Sequence, residues 1–422
     1  MEMERKVLFV DDEPEVINAL RRDFRRSPYQ TFFALSGKEG LEILDRERVD
    51  LVVADMKMPQ MDGSEFLRRA KASHPEVICV ILSGYTESHE VYDALAKGIA
   101  KAYFTKPWER EVLHGYLDNL FRLKEQLEDK KLLEVVNSVP NLPTLPERHQ
   151  RILDLIAGDE DLGKIAGLIE EDPSLTAAVL RLANSAFYAQ RKPVTSVKRA
   201  VVVLGMNVLK DVVLSLGILD SFVRMGGDRG GVEELWEHAI ICNRMVNYLY
   251  ESLFHERLPE EFSVVGLLHD VGKMFMVTCL SERFREITKV VKDDPGKDWL
   301  EAEREVLGIS HSSLGAYLLN WWNFPYPIIE AVMYHHEPVA SGIMSPEITA
   351  LVHIADFYSH SMSKCRPSSP LKDEAFAIVN VKAEEIEAKI ERFFRDHYKF
   401  RKSVKKAKDG TATGCHGLVR RR

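Results

Sequence analysis

Five polar side chains stand where short apolar runs end. Asp11 and Asp12 follow Val7–Val10, Asp55 follows Leu51–Ala54, Ser83 follows Val77–Leu82, and Lys106-Pro107 comes just after Ala102–Phe104. Runs of this length and composition read as strands, and in a parallel sheet such residues converge at the carboxyl edge. Three gathered carboxylates repel one another unless a cation lies among them, and their hard oxygens suit Mg²⁺. A carboxylate beside bound Mg²⁺ can attack a phosphoryl group, because the metal offsets the repulsion between nucleophile and phosphate. The lysine then pairs with phosphoryl oxygens, and the serine hydroxyl bonds to one of them.

A second set of chemistry-bearing residues lies in the other half of the chain. Glu234 and His238 are four apart on one expected helix, Val232–Phe254. His269-Asp270 interrupts the apolar stretch VVGLLHDVGKMFMV, with Lys273 one turn on, and His311 follows Ser310 at the start of another helix. His335-His336-Glu337 closes the run Pro327–Tyr334, and Asp356 lies within Leu351–Phe357. Imidazoles and carboxylates from separate helices facing one core can hold one or two ions of Fe, Mn or another divalent metal. An Asp within an apolar helix is otherwise costly. Lys273 suits a phosphate contact or a pairing with a ligand carboxylate. His353 and His360 read as core histidines outside this set.

The elements that position these residues differ between the halves. Over residues 1–121, strand patterns at Val7–Val10, Thr31–Leu35, Leu51–Ala54, Val77–Leu82 and Ala102–Phe104 alternate with helical ones. The helices are expected at Glu13–Arg26, Lys38–Arg48, Gly63–Ser73 and Ser88–Ala96, with a last one from Trp108. This alternation predicts an α/β domain with a five-stranded parallel sheet covered on both faces. From Trp108 to Val136 only Gly115 breaks a Leu-, Glu- and Lys-rich run, which predicts one continuous helix whose segment 122–138 links the halves. Tyr116, Leu120, Leu123 and Leu127 make an apolar seam too short for a stable coiled coil, so a linker helix is favoured over a dimerising coil. Residues 139–390 read as all-α, entered through Pro140, Pro143 and Pro146 and divided by a loop with Gly226, Gly227, Gly230 and Gly231. Residues 391–422 read as a basic tail expected to be disordered.

Composition bounds the function. The 422 residues are 45% hydrophobic and 29% charged, which is globular. A net charge of -8 argues against a protein that coats nucleic acid. The five cysteines are scattered without a C-x-x-C pair, which fits a reducing cytoplasm. MEMERK runs straight into a strand pattern, which is not how a signal peptide begins. The longest apolar stretch, near Ala200–Leu219, is broken by Lys210 and Asp211 and reads as a core helix, so no membrane association is expected.

Residues 1–121 resemble a response-regulator receiver domain. The run Asp55-Met56-Lys57-Met58-Pro59-Gln60-Met61-Asp62-Gly63 matches that family's phosphorylation-site signature, and Asp11-Asp12, Ser83 and Lys106-Pro107 fall in its order. The resemblance implies a flavodoxin-like fold with Asp55 as phosphoacceptor. Asp11, Asp12, Asp55 and the Lys57 backbone carbonyl would hold Mg²⁺, Tyr103 would be the aromatic switch, and a cis bond would precede Pro107.

The helical half resembles the HD phosphohydrolase superfamily. His238, His269, Asp270 and Asp356 fall at the basic HD ligand positions. Glu234, Lys273, His311, His335 and His336 match further ligands and the phosphate-contacting lysine of its HD-GYP branch, which hydrolyses cyclic di-GMP. The D-G-x-G-Y-P stretch of that branch is absent, since Pro338-Val339-Ala340-Ser341 follows Glu337. Val139–Pro146, Ile169–Leu175, Val179–Tyr188 and Ala200–Gly205 resemble the HDOD domain, an all-helical relative found in bacterial signalling proteins. Together the resemblances imply a cytoplasmic two-component response regulator, phosphorylated by a sensor histidine kinase, with an HDOD output acting on an unidentified downstream protein. The alternative they carry is a metal-dependent phosphohydrolase acting on a nucleotide second messenger. A homodimer is compatible with both.

Overall fold

A computed structural model describes residues 5–84, 91, 94–95, 99–139, 142–158, 161–183, 194–225, 229–259, 262–294, 296–340, 342–360 and 368–397. The expected helix Ser88–Ala96, the entry at Pro140, Gly226 and Gly227 of the expected loop, the end of the Val179–Tyr188 motif and residues 398–422 lie wholly or partly outside these residues. Gly230 and Gly231, expected in that loop, instead begin helix Arg229–Phe254. Residues 391–397, expected in the disordered tail, instead close the amphipathic helix Ala383–His397, whose Phe393 and Phe394 are buried. The chain divides into two units, Met1–Lys124 with Leu319–Ile329, and Glu125–Leu318 with Glu330–Arg422.

The first unit is built on five parallel strands: β1 (Lys6–Val10), β2 (Gln30–Ala34), β3 (Leu51–Asp55), β4 (Ile78–Ser83) and β5 (Ala102–Thr105). Their order is β2-β1-β3-β4-β5, the flavodoxin-like arrangement. The central strand β3 is buried along its whole length, as its run of Leu, Val and Ala requires, whereas the edge strand β2 is mostly half-buried. The register sets Asp55 beside Leu82 and Ser83 beside Thr105, so both polar residues reach the same edge. Helices Pro14–Asp23, Gly37–Arg46 and Gly63–Ser73 cover the sheet, the last two started by Ser36 and Asp62, whose side chains accept from Glu39 and Glu65 backbone N–H groups.

The expected continuous helix from Trp108 to Val136 is two helices, Arg110–Leu127 and Lys130–Asn137. Asp129 breaks it: its non-helical backbone and its carboxylate, which accepts from the N–H groups of Lys131 and Leu132 at 2.9 and 3.0 Å, make it the N-cap of the second helix. Absence of Gly and Pro did not ensure continuity, because an Asp offers the backbone an alternative partner. The linker is therefore not a single rigid rod. Leu120, Leu123 and Leu127 are buried within the chain, so the apolar seam is spent on packing.

The second unit is helical. Its longest helix, Arg229–Phe254, packs most extensively against Pro346–Ser359 and also against the short helix Val265–Leu268. His269-Asp270 does not sit within a continuous helix. It forms a break between Val265–Leu268 and Val271–Cys279. Glycines bracket this break where backbones approach closely. A Cβ at Gly266 would lie 2.6 Å from Asn243 Cα, and one at Gly272 would lie 1.9 Å from the carbonyl oxygen of His311. Only glycine lets these segments close around the His-Asp pair. Among the described residues, no single helix is long and apolar enough to cross a membrane.

Candidate phosphoacceptor site and candidate metal centre

At the carboxyl edge of the sheet, Lys106 joins two of the expected acids. Its Nζ lies 2.7 Å from Asp11 Oδ2 and 2.5 Å from Asp55 Oδ1. The Lys57 N–H donates to Asp55 Oδ2 at 2.7 Å, and the Glu13 N–H donates to Asp11 Oδ1 at 3.0 Å. Asp11 and Asp55 are buried, whereas Asp12 is half-buried beside them. The Lys106 N–H donates to the Ser83 carbonyl at 2.7 Å, tying the ends of β4 and β5, and the Lys106-Pro107 bond is cis. The Ser83 hydroxyl is buried and donates to the Gly84 carbonyl at 3.1 Å. Tyr103 is half-buried on β5 and packs against the sheet's core, and its carbonyl accepts from the Tyr116 hydroxyl.

Burial raises the Asp11 carboxyl above its usual range despite the Lys106 ammonium. Burial alone would lower Lys106, but its hydrogen bonds to Asp11 and Asp55 outweigh this and raise it. One ammonium therefore does not meet the full cost of holding the acids charged here, and a divalent cation fits the surplus.

In the helical unit the sequence-distant histidines converge. Two groups of ligand-type atoms form, His238, His269, Asp270 and Asp356 in one, and Asp270, His311, His335 and His336 in the other. All are buried and they share Asp270. In the first group His238 Nε2 is 2.9 Å from Asp356 Oδ1 and 3.3 Å from His269 Nε2, which is 3.4 Å from Asp270 Oδ2. In the second, His311 Nε2 is 3.3 Å from Asp270 Oδ1 and 3.0 Å from His336 Nε2.

Every ring turns Nε2 inward because Nδ1 is held from behind. His269 and His335 donate through Nδ1 to the carbonyls of Gly266 and Val332, both at 2.7 Å. His311 donates to Glu303 at 2.8 Å. The Ser359 hydroxyl, which donates to the Asp356 carbonyl, accepts from His238 Nδ1 at 3.2 Å. His336 Nδ1 meets the Ser369 hydroxyl at 2.9 Å. With Nδ1 bonded outward, Nε2 is the atom each ring turns toward the cluster, and outer partners of this kind orient metal-binding histidines.

Two atoms show what faces the clusters. His335 Nε2 is buried without a hydrogen-bond partner, 3.8 Å from Asp270 Oδ1, whose nearest ring contact is His311 Nε2 at 3.3 Å. Burial, aided by His269 and His311, holds His335 far below its usual range and therefore neutral. Burial, then His335 and His311, does the same to His336. Burial would raise Asp270, but the charges of His269 and Lys273 prevail and keep it an anion. A neutral nitrogen lone pair facing a carboxylate oxygen is an arrangement that a cation satisfies.

Not every expected residue joins the clusters. Glu234, half-buried one turn before His238, belongs to neither group of ligand atoms. Lys273 takes the carboxylate option, donating to Asp270 Oδ2 at 2.6 Å from a buried position. His353 is a core residue whose Nδ1 donates to the His335 carbonyl while its Nε2 accepts from the Lys372 N–H. His360 lies nearer than expected, its ring centroid 4.0 Å from that of His238 and its Nδ1 donating to the Asp356 carbonyl. Sequence reading missed Glu303, Ser359 and Ser369. Glu303 did leave a signal, since it shares the apolar stripe of helix Trp299–Leu307 with Leu300 and Leu307.

A parallel α/β sheet with an acid–lysine edge defines a receiver-type unit, and the helical unit beside it in the sequence carries buried clusters of histidine and aspartate. Comparison with known proteins agrees. The response regulator receiver domain family matches residues 7–118, and the HDOD domain family matches residues 142–338. Sporulation initiation phosphotransferase F of Bacillus subtilis is 34% identical over 29% of this chain and 98% of its own length. An uncharacterized protein of Treponema pallidum is 24% identical over 49% of this chain but only 40% of its own length. The crystal structure of an HDOD domain protein of unknown function from Geobacter sulfurreducens is 25% identical, with a TM-score of 0.55, over 65% of this chain and 96% of that one. The chain belongs to the two-component response regulators and carries an HDOD domain as its output. Its receiver implies phosphotransfer from a histidine kinase.

Proposed function

We propose that Asp55 is the phosphoacceptor and that its phosphorylation controls the HDOD output through protein contacts, in the cytoplasm. The observation that carries this is the Lys106 ammonium bridging Asp11 and Asp55 at the sheet edge. An Asp55 oxygen forms the new O–P bond as the P–N bond to the kinase histidine breaks, and the imidazole leaves with the electron pair. Lys106 is placed to transfer its contact from the Asp55 carboxylate to the phosphoryl oxygens. Asp11, Asp12, Asp55 and the Lys57 carbonyl would hold Mg²⁺, which supplies charge neutralisation to the phosphoryl group. Ser83 would turn its hydroxyl from the Gly84 carbonyl to the phosphoryl group, and Tyr103 would repack with it. The test is hydrogen exchange of the full chain with and without an acyl phosphate and Mg²⁺. Changed exchange within residues 139–390 is expected. Change confined to the receiver would reject control of the output.

The paired clusters favour a second reading, a divalent-metal site with phosphohydrolase activity on nucleotides. His238, His269, Asp270 and Asp356 would hold one ion, and Asp270, His311, His335 and His336 a second. Bound metal there would lower the pKa of a water for attack on a phosphoester. Lys273 fixes the shared carboxylate, and a phosphate contact would require it to leave Asp270. Full-length protein loaded with Mn²⁺ or Fe²⁺ is to be assayed on a panel of cyclic and linear nucleotides. Hydrolysis lost in the His269→Ala variant supports this reading. Metal-loaded protein that leaves every substrate intact returns the output to protein contacts alone.

A further inference from the structure

The five ligand-type histidines differ in what holds them from behind. Four rest on neutral groups, the carbonyls of Gly266 and Val332 and the hydroxyls of Ser359 and Ser369. His311 alone rests on a carboxylate. Glu303 is fully buried, and both of its oxygens serve His311: Nδ1 lies 2.8 Å from each, and the His311 N–H donates to Oε2 at 2.7 Å. A buried carboxylate committed to one histidine is costly unless it does something a carbonyl does not.

The charge distribution between the clusters suggests what that is. The first has two carboxylates, Asp270 and Asp356, whereas the second has only the shared Asp270. The other oxygen of Asp270 is already paired with the Lys273 ammonium at 2.6 Å. The second cluster would thus meet a divalent ion with three neutral rings, one shared anion and a nearby positive charge. Coulomb repulsion from the first ion and from Lys273 would disfavour filling it.

We infer that Glu303 is a positioning residue that enables the second cluster to take a metal ion. It does so by fixing the His311 tautomer with Nε2 toward Asp270 and by lending negative charge through the imidazole, which raises its basicity as a ligand. The inference rests on the metal reading above and adds an order of filling, with the His238, His269, Asp270 and Asp356 cluster first and the Glu303-backed cluster second.

The experiment titrates chelator-treated full-length protein with Co²⁺, following visible absorption and binding heat. Two equivalents are expected for wild type. Glu303→Gln should keep the first with unchanged affinity and weaken the second about 10- to 100-fold. His336→Ala should lose that same equivalent, and Glu303→Asp should recover part of it. The melting temperature of the metal-free proteins separates packing from positioning. If Glu303→Gln binds both equivalents as wild type does, the inference is overturned. It is also overturned if both weaken together with a drop in metal-free melting temperature that Glu303→Asp does not repair. Wild type that takes no Co²⁺ overturns the metal reading and this inference with it.

Discussion

Asp55→Asn protein is expected to take up no phosphoryl group from an acyl phosphate and Mg²⁺, a fall of more than about 100-fold in labelling. The amide oxygen is a poor nucleophile, yet it can still accept from the Lys57 N–H that now meets Asp55 Oδ2 at 2.7 Å. Loss of labelling should not reflect loss of fold. Removing one anion from a site that holds Asp11, Asp12 and Asp55 relieves repulsion, and Lys106 retains Asp11 at 2.7 Å. The melting temperature should therefore stay the same or rise. Asp11→Asn should weaken labelling without identifying the acceptor, because it acts through the cation. Labelling of Asp55→Asn at the wild-type level would assign the acceptor elsewhere.

Asp270→Asn should have the largest effect in the helical unit, because Asp270 belongs to both ligand groups and pairs with buried Lys273. Metal content should fall at both positions together. Stability should fall by roughly 3–5 kcal/mol, the cost of leaving a buried charge without its partner. In a domain of this size that lowers the melting temperature by roughly 10 °C. Calorimetry with and without chelator, alongside elemental analysis, separates the two effects. In wild type the chelator should lower the melting temperature, since an ion that binds only the folded state stabilises it. In Asp270→Asn it should do nothing. His353→Ala supplies the contrast, because its ring supports the His335 carbonyl and the Lys372 N–H rather than facing the clusters. It should lose stability and keep most of its metal. Wild-type metal content in Asp270→Asn would defeat the shared-ligand arrangement.

The receiver's sheet, and which residues end its strands, were readable for a physical reason. Strand ends in a parallel sheet all reach one edge, so chemistry placed at those ends is brought together by the topology itself. Leu51–Asp55 is a buried strand whose last residue must emerge at that edge, and the register confirms it beside Leu82. The helical half offered no such rule. Its ligand candidates were recognisable by type, but periodicity assigns a residue to a face and does not say which faces meet. Glu234 and His238 looked equivalent at four-residue spacing, yet only His238 enters a cluster. The linker was misread because an Asp with neither Gly nor Pro beside it still capped a new helix at Asp129.

From sequence alone came the classes of chemistry, the acids and lysine of the sheet edge, and the histidines and aspartates of the helical half. Their types and local spacing carry that information, since hydrogen-bonding capacity and strand or helix period are properties of the residues themselves. Tertiary structure alone decided the rest: that Asp270 is shared, that Lys273 binds it, and that Glu303 stands behind His311 across eight residues of chain. These are contacts between segments brought together by packing. Gly266 and Gly272 allow the close approach, and burial then makes every unpaired donor and acceptor costly enough to dictate which partner it finds.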